Sequence, residues 1–463
     1  MRIVMFSITP LFPDHDLGGA QKHLRALALH LAQAGHQVTV LCTGRSDTPT
    51  PFNWHPNALV KPILPFKQPF PHPYDTGAHN LAVITQIIGD HLAAADRFYI
   101  HDGEWTFSFT YTGIPTVASL RDNVYPETAQ GAFQFRGQTL VVPAEYSRQF
   151  YLQTAGRFFP DLAARLKVIP NGMDWKRYTF TPPSQRILDL IPVDPARHAI
   201  VIHPHRPEAS KGVWQTIDVA HRLVTEYGIA NLRVLMPRWI GTANDPGVAA
   251  FYEQVEAEIT ARDLREHFIL HPWIPANLIA QYYSLGRVTL VLGSFIEAFG
   301  NTAYESLGCG TPAIIARVSS QRDILPETLV DKVDFGDNAR AAGIAAGIIT
   351  SGRRTSPETM AYLHTHYRVE TQLATYAETI LNAGVIDAPR YVHTPISAAT
   401  RFVLPVWCYR GARGIYHDYR ADTTRDAALE RLLDAHPDGF TLAEASPEQV
   451  EAWYRAGFVV PVG

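Results

Sequence analysis

The stretch Ser294 to Pro312, SFIEAFGNTAYESLGCGTP, constrains the fold more than any other. It sets two carboxylates, Glu297 and Glu305, eight positions apart, with Gly300 and Asn301 between them and Gly308, Gly310 and Pro312 closing it. Ahead of it runs Val288-Thr-Leu-Val-Leu-Gly293, apolar and β-branched, the mark of a strand buried on both faces. Behind it comes Ala313-Ile-Ile-Ala316, a candidate for the next strand. Strand, loop, helix, turn and strand in that order make a βαβ unit.

In such a unit the loop and first helical turn lie at the carboxyl end of the strand, where open α/β sheets bind ligands. The backbone N–H groups of Ala298, Phe299 and Gly300, with the positive helix end, would face an anion there. Glu297 would meet the ligand from the loop and Glu305 from two turns along the helix. Ionised carboxylates only accept hydrogen bonds, so the pair suits a ligand with hydroxyls on both flanks of a phosphate. A sugar nucleotide is such a ligand. An ordinary acidic surface helix is the plain alternative for this stretch taken alone.

The chain has 463 residues, 46% apolar and 18% charged, enough for several domains with large cores. A formal charge of −4 gives no overall pull towards nucleic acid or an anionic membrane. Three separated cysteines (Cys42, Cys309, Cys408) lack metal spacing and read as free thiols in a reducing cytosol. No apolar run approaches a spanning helix, and the strand-like Met1 to Ile8 is too short for a signal peptide, so the expected location is cytoplasmic. His203-Pro-His205 is a close histidine pair without a third ligand nearby, so no metal is expected.

Alternation of strand and helix runs through two blocks. The first begins with strand Arg2 to Ile8, a loop through Gly18-Gly19, helix Ala20 to Ala34 ended by Gly35, and strand Gln37 to Cys42. Gly18-Gly19 stands before a helix N-terminus, where a glycine serves either a phosphate's close approach or a structural turn. Residues Asp47 to Thr76 are proline-rich and read as irregular. Then follow helix Leu81 to Ala95 and strands Phe98 to His101, Pro115 to Leu120 and Thr139 to Pro143. Helix Ser147 to Ala155 and Lys167 to Gly172 close this block, and Pro182 to Pro195 reads as a linker. The second block carries strands at Ala199, Leu232, Phe268, Val288 and Ala313, with helices Val213 to Tyr227, Gly247 to Ala261 and Leu278 to Leu285. Pro357 to Leu381 reads as a terminal helical segment with Ser356 as cap. Two such blocks argue for two doubly wound domains with a cleft between them.

Taken together, these residues resemble a known family. EAFGNTAYE followed by SLGCGTP resembles the E-x7-E signature of retaining glycosyltransferases of family 4, which have the GT-B fold. Gly18-Gly19-Ala20 resembles the family's N-terminal glycine loop, and Val168-Ile-Pro-Asn-Gly-Met-Asp174 its interdomain V-I-P-N-G-V-D segment. Arg206-Pro-Glu-Ala-Ser-Lys211-Gly212 resembles its G-R-L-x-x-x-K-G phosphate-binding motif, and Tyr282 and Tyr283 sit in the helix expected before the signature. The resemblance spans roughly residues 1 to 385.

The resemblance implies an α/β, GT-B architecture of two Rossmann-like domains, 1–185 (acceptor) and 186–388 (donor); the remaining residues, 389–463, read from their own pattern as a small α+β accessory domain. It implies that Arg206 and Lys211 clamp the donor diphosphate and that Glu305 takes the ribose hydroxyls. Glu297 would hold the transferred sugar, and the N–H groups of Phe299, Gly300 and Asn301 would face sugar and phosphate, with Gly19 brought against the donor. It implies retention by front-side attack, with no protein nucleophile, no divalent metal and no cofactor beyond the nucleoside diphosphate sugar as co-substrate.

Two positions depart from the pattern. Arg121-Asp122-Asn123 stands where many members carry a histidine; Arg121 then either meets a phosphate or anionic acceptor or pairs with Asp122. His205 replaces the glycine before the phosphate-binding arginine, and His101 is either a substitute polar contact or a structural histidine.

Beyond Pro389 the resemblance ends. Phe402-Val-Leu and Gly414-Ile-Tyr-His read as strands, Thr424 to His436 as a helix after a threonine cap, and Ser446-Pro-Glu-Gln-Val as a helix start before Gly457 to Pro461. The order faintly resembles a winged-helix unit of the leader-peptide type; a packing or homo-oligomerising appendage is the other reading. Only Arg425, Arg431 and Arg455 are basic from Thr424 onward, against DNA binding. A small soluble molecule or a peptide is the expected acceptor. The contrasting function is a non-catalytic GT-B protein that binds a sugar nucleotide or a peptide partner.

Overall fold

The computed structural model describes residues 1–16, 18–45, 50–68, 75–103, 107–239 and 246–462. The chain divides into two compact units, the first made of Met1–Pro170, Glu370–Val406 and Arg431–Gly463, the second of Asn171–Val369 and Trp407–Glu430.

The first unit holds a sheet of eight strands: β1 (Arg2–Ser7), β2 (Gln37–Thr43), β3 (Phe52–His55), β4 (Ala58–Leu64), β5 (Arg97–His101), β6 (Thr116–Ser119), β7 (Thr139–Val142) and β8 (Leu166–Val168). Their order is β3-β4-β2-β1-β5-β6-β7-β8, parallel throughout except for β3 against β4. The order reverses between β1 and β5, so the carboxyl ends of those strands form a switch point. Helix Gly19–Gln33 packs Leu24, Leu27, Ala28 and Leu31 on one face of the sheet, the i, i+3, i+4, i+7 spacing that puts them on one side of a helix. Tyr376, Ala377 and Ile380 of helix Val369–Leu381 join the same core.

The expected irregular stretch after Asp47 instead contains β3 and β4. Prolines masked the signal, although every second residue of β4 is buried. Pro62 is tolerated because the register slips beside it, between Cys42 and Thr43 of β2, where ladder bonding is already broken. Residues 47–49 and 69–74, within that same stretch, lie outside the described residues.

The second unit's sheet has six parallel strands: β9 (Ala199–Ile202), β10 (Leu232–Pro237), β11 (Phe268–His271), β12 (Val288–Val291), β13 (Ala313–Ala316) and β14 (Asp331–Val333). They run β11-β10-β9-β12-β13-β14, with the switch point between β9 and β12. Both faces are covered, which is why these strands read as unbroken apolar runs. Ile200, Ile202, Leu235, Val291 and Ile315 enter one core, while Val201, Val234, Leu290 and Ile314 enter the other.

Three bounds differ from expectation. The contact division falls after Pro170, not at residue 185, and the supposed linker carries helix Gln185–Leu190, whose Ile187 and the following Ile191 are fully buried in the second unit. The helical segment from Pro357 is two helices, Pro357–His366 and Val369–Leu381. Between them Tyr367 and Val369 bond the backbone of Met173, while Ser356 caps the first as expected.

The last 75 residues do not form one domain by contacts. β15 (Arg401–Val403) pairs with β19 (Val460–Val462) in the first unit. β16 (Cys408–Gly411), β17 (Gly414–His417) and β18 (Asp422–Thr424) form a separate antiparallel meander in the second. A winged helix would need these strands and helices in one body. The helix after β18 spans Ala427–Ala435 and is capped by Asp426, not Thr424: its carboxylate accepts from the Ala428 and Leu429 amides.

Candidate active site

At the switch point of the second unit two loops lie backbone against backbone. A Cβ on Gly212, which has φ +87°, would lie 2.6 Å from the Gly293 amide nitrogen, and one on Gly293 would collide with the Ser210 carbonyl oxygen. The Phe295 amide donates to that same oxygen at 2.9 Å. Only glycine at both positions permits this approach, and it carries Lys211, after β9, to Glu297, after β12.

Lys211 Nζ lies 2.7 Å from Glu297 Oε1 and 3.4 Å from the centre of the Phe295 ring. The ammonium is therefore fixed by a carboxylate on one side and an aromatic face on the other. Its side chain is 11% exposed and that of Glu297 27% exposed, so the pair is screened less than a surface ion pair yet remains open to a ligand. The carbonyl of Glu297 accepts from both Ser319 Oγ (2.9 Å) and Ser320 Oγ (2.6 Å), which fixes the loop from behind.

Helix Asn301–Gly308 begins at Gly300, which takes φ +84° with Gln321 packed against its Cα face. No side chain caps this helix, so its first amides keep the unsatisfied donors that every helix start carries. Phe299 turns its ring away into the core, stacked 4.6 Å from Tyr304, which leaves only its backbone for a ligand. Asn301 Oδ1 accepts from Asn171 Nδ2 at 3.0 Å. Glu305, half-buried on the same helix, accepts from the Tyr283 hydroxyl at 3.1 Å. Burial, and then the Glu305 charge, push the Tyr283 phenol up, so it stays a donor. Tyr178 is raised for the same two reasons.

Arg206 is not drawn into this group. It pairs with Glu208 at 3.1 Å, both side chains well exposed, an arrangement of small energetic weight. His205 turns inward and its Nε2–H donates to the Leu290 carbonyl at 3.2 Å. Burial and the neighbouring Lys211 pull its pKa down to about 3. His203 shares a hydrogen bond with Thr216, so both histidines serve the packing beneath the loop.

Gly19 and Arg121 belong to the first unit. Gly19 opens its helix with Gly18 as the extended N-cap, and a Cβ on Gly18 would meet nothing within 4 Å. Arg121 Nη1 donates to the Tyr376 hydroxyl at 3.2 Å. Around it stand His23, His101 and Asp102. Burial first, and then Arg121, lower both histidines, His101 to about 3. His101 donates from Nε2 to the Ala20 carbonyl at 2.8 Å, a structural bond that ties β5 to the glycine loop. Asp102 holds a left-handed φ of +57° and is half-buried; desolvation and the nearby Asp122 raise its pKa.

Sequence reasoning did not single out Asp102, Ser319 or Ser320, and met Asn171 only as part of the Val168–Asp174 segment. Asp102 carried a weak signal, a carboxylate directly after an apolar strand; the two serines carried none.

Two family models match the chain: "Glycosyltransferase Family 4" over residues 17–177 and "Glycosyl transferases group 1" over residues 194–349. Among curated proteins, a D-inositol 3-phosphate glycosyltransferase of Acidothermus cellulolyticus is 25% identical over 372 residues, 73% of this chain and 80% of that one. Sucrose-phosphate synthase from Thermosynechococcus elongatus superposes with a TM-score of 0.65 at 17% identity, covering 81% of this chain and 97% of that one. The Anabaena protein HepE, in complex with UDP and glucose, gives a TM-score of 0.62 at 18% identity, covering 82% and 99%. At these identities the solved structures speak for the fold.

Proposed function

The chain belongs to the GT-B glycosyltransferases, and on that premise we propose that it is a retaining hexosyltransferase working from a nucleoside diphosphate sugar without a divalent metal. The observation that carries this reading is the Lys211–Glu297 pair at the switch point, beside the uncapped start of the helix that bears Glu305. A diphosphate placed there would take Lys211 and the helix amides as its counter-charge, with Arg206 swinging from Glu208 to join them. Released from Lys211, the Glu297 carboxylate would accept from the sugar's hydroxyls. Glu305 would accept from the ribose with its second oxygen, the first being held by Tyr283.

In the reaction, the bond from the anomeric carbon to the diphosphate oxygen breaks, and the acceptor oxygen bonds to that carbon on the same face. The leaving phosphate oxygen takes the acceptor proton. The protein need supply only position and positive charge as the phosphate becomes more negative. Lys211 would exchange Glu297 for the diphosphate when the donor binds, so its charge would already be in place when the bond breaks.

Two features bear on substrates. HepE, which shares the fold, was solved with UDP and glucose, so UDP-glucose is the first donor to try. A relative acts as a D-inositol 3-phosphate glycosyltransferase, and Arg121 offers this chain a half-buried cation. Together they favour a small hydroxylated acceptor bearing an anionic group over a peptide. The test is thermal unfolding against a panel of sugar nucleotides, with and without EDTA, followed by product stereochemistry. A midpoint that rises with one donor, is indifferent to EDTA and is lost in Lys211→Ala supports the reading. No shift at millimolar donor would return the non-catalytic alternative.

A further inference from the structure

Behind the Glu297 loop sits a part of the chain that the two family models do not reach. The meander β16–β18 packs Tyr416 against Ala316 and Val318 at the end of β13, with Phe335 and Tyr409 around it. Its turn places Asp418, whose carboxylate is wholly buried, under the loop Ser319–Arg322. Asp418 Oδ1 accepts from the Ser319 amide at 3.1 Å and from Arg322 Nη1 at 2.8 Å, and Oδ2 accepts from Arg322 Nη2 at 2.7 Å. Ser319 takes φ +48°, a conformation a non-glycine residue keeps only where its surroundings hold it. With that amide pinned, the hydroxyls of Ser319 and Ser320 both donate to the Glu297 carbonyl.

From this chain of contacts we infer that Asp418 is a positioning residue for the donor sugar: through Ser319 and Ser320 it sets the backbone on which Glu297 is presented. The inference rests on the proposed role of Glu297. A bidentate arginine–carboxylate pair is directional as well as strong, so it fixes an angle where a lone hydroxyl would not. The insertion Trp407–Glu430 then belongs to the second unit's site as much as to its packing.

The test uses the full chain. Amide hydrogen exchange across 294–300 should quicken at least fivefold in Asp418→Asn, and in the gentler Ser320→Ala, which keeps the buried ion pair. Exchange in β9 to β13 should keep its wild-type rate in Ser320→Ala. In calorimetric titrations, both variants should bind UDP within twofold of wild type and UDP-glucose at least fivefold more weakly. Unchanged exchange across 294–300 in both variants overturns the inference. So does an equal loss of UDP and UDP-glucose binding, which would mark a merely structural role. Glu297→Gln separates the two layers. If it binds UDP-glucose like wild type, the role of Glu297 falls and this inference with it. If it loses the sugar's share of binding while Asp418→Asn and Ser320→Ala keep theirs, only the role of Asp418 falls.

Discussion

At the ends of β5 and β6 the first unit gathers ionisable side chains whose charged forms burial disfavours. His23 and His101 are lowered, Asp102 and Tyr376 are raised, and burial is the first cause in each. At the ends of β9 and β12 the second unit does the reverse, holding an ammonium against a carboxylate and leaving a helix start uncapped. Both sheets have a switch point in the same topological place, so topology alone does not explain the contrast. Desolvation does. Partly desolvated donors and acceptors around Arg121 suit hydroxyl geometry, whereas a paired ammonium that can change partners suits a phosphate.

The sharpest way to break this comparison is to remove the charge. Lys211→Ala should lower kcat/KM by about 10²- to 10³-fold, the usual loss for one preorganised electrostatic contact. Arg121→Ala should leave the donor-induced rise in unfolding midpoint unchanged. If Arg121→Ala abolishes that rise, the division of labour between the two sheet ends is wrong. Next comes Gly293→Ala, which forces a side chain into the Ser210 carbonyl. It should cost about 1–3 kcal/mol in denaturant unfolding, as overpacking does, and lose donor binding with it.

Protonation sharpens the contrast further. His205 has a folded pKa of about 3 against 6.5 unfolded, and His271 about 4 through burial. Below pH 6.5 the unfolded chain binds protons that the folded one refuses, so stability falls as pH drops from 6.5 towards 3. His205→Gln should flatten that acid limb by about one proton, read from midpoints across pH. Asp102 has the opposite sign. Its folded pKa lies above the ordinary 3.8, so the folded state keeps a proton that the unfolded chain gives up, and stability declines as pH rises through that interval. Asp102→Asn should remove this smaller decline and be better tolerated at pH 8 than at pH 5.

Much of the second unit was legible because its sheet is covered on both faces, which makes each strand an uninterrupted apolar run. The stretch from Ser294 to Pro312 also took the strand, loop, helix and strand order expected of it, since the loop, the helix start and both glutamates are local in sequence. β3 and β4 escaped notice because Pro62 looks like a strand breaker until the register slip in its neighbour is seen. The tail was misjudged for a different reason. Asp418 reaches Ser319 across 99 positions, and no local period or motif reports such a pairing. Arg206, set beside Lys211 by motif spacing, stands apart because an arginine's long side chain settles on its nearest carboxylate, here Glu208.

The chain's excursions between its two units govern the order in which it can be made. Met1–Pro170 is synthesised first, yet its hydrophobic core includes Tyr376, Ala377 and Ile380, and its last strand pair needs Val460–Val462. The second unit likewise waits for Trp407–Glu430. At about 5–20 residues per second, the N-terminal part spends ten seconds or more on the ribosome with an apolar face uncovered. The first unit to begin folding is therefore the last to finish.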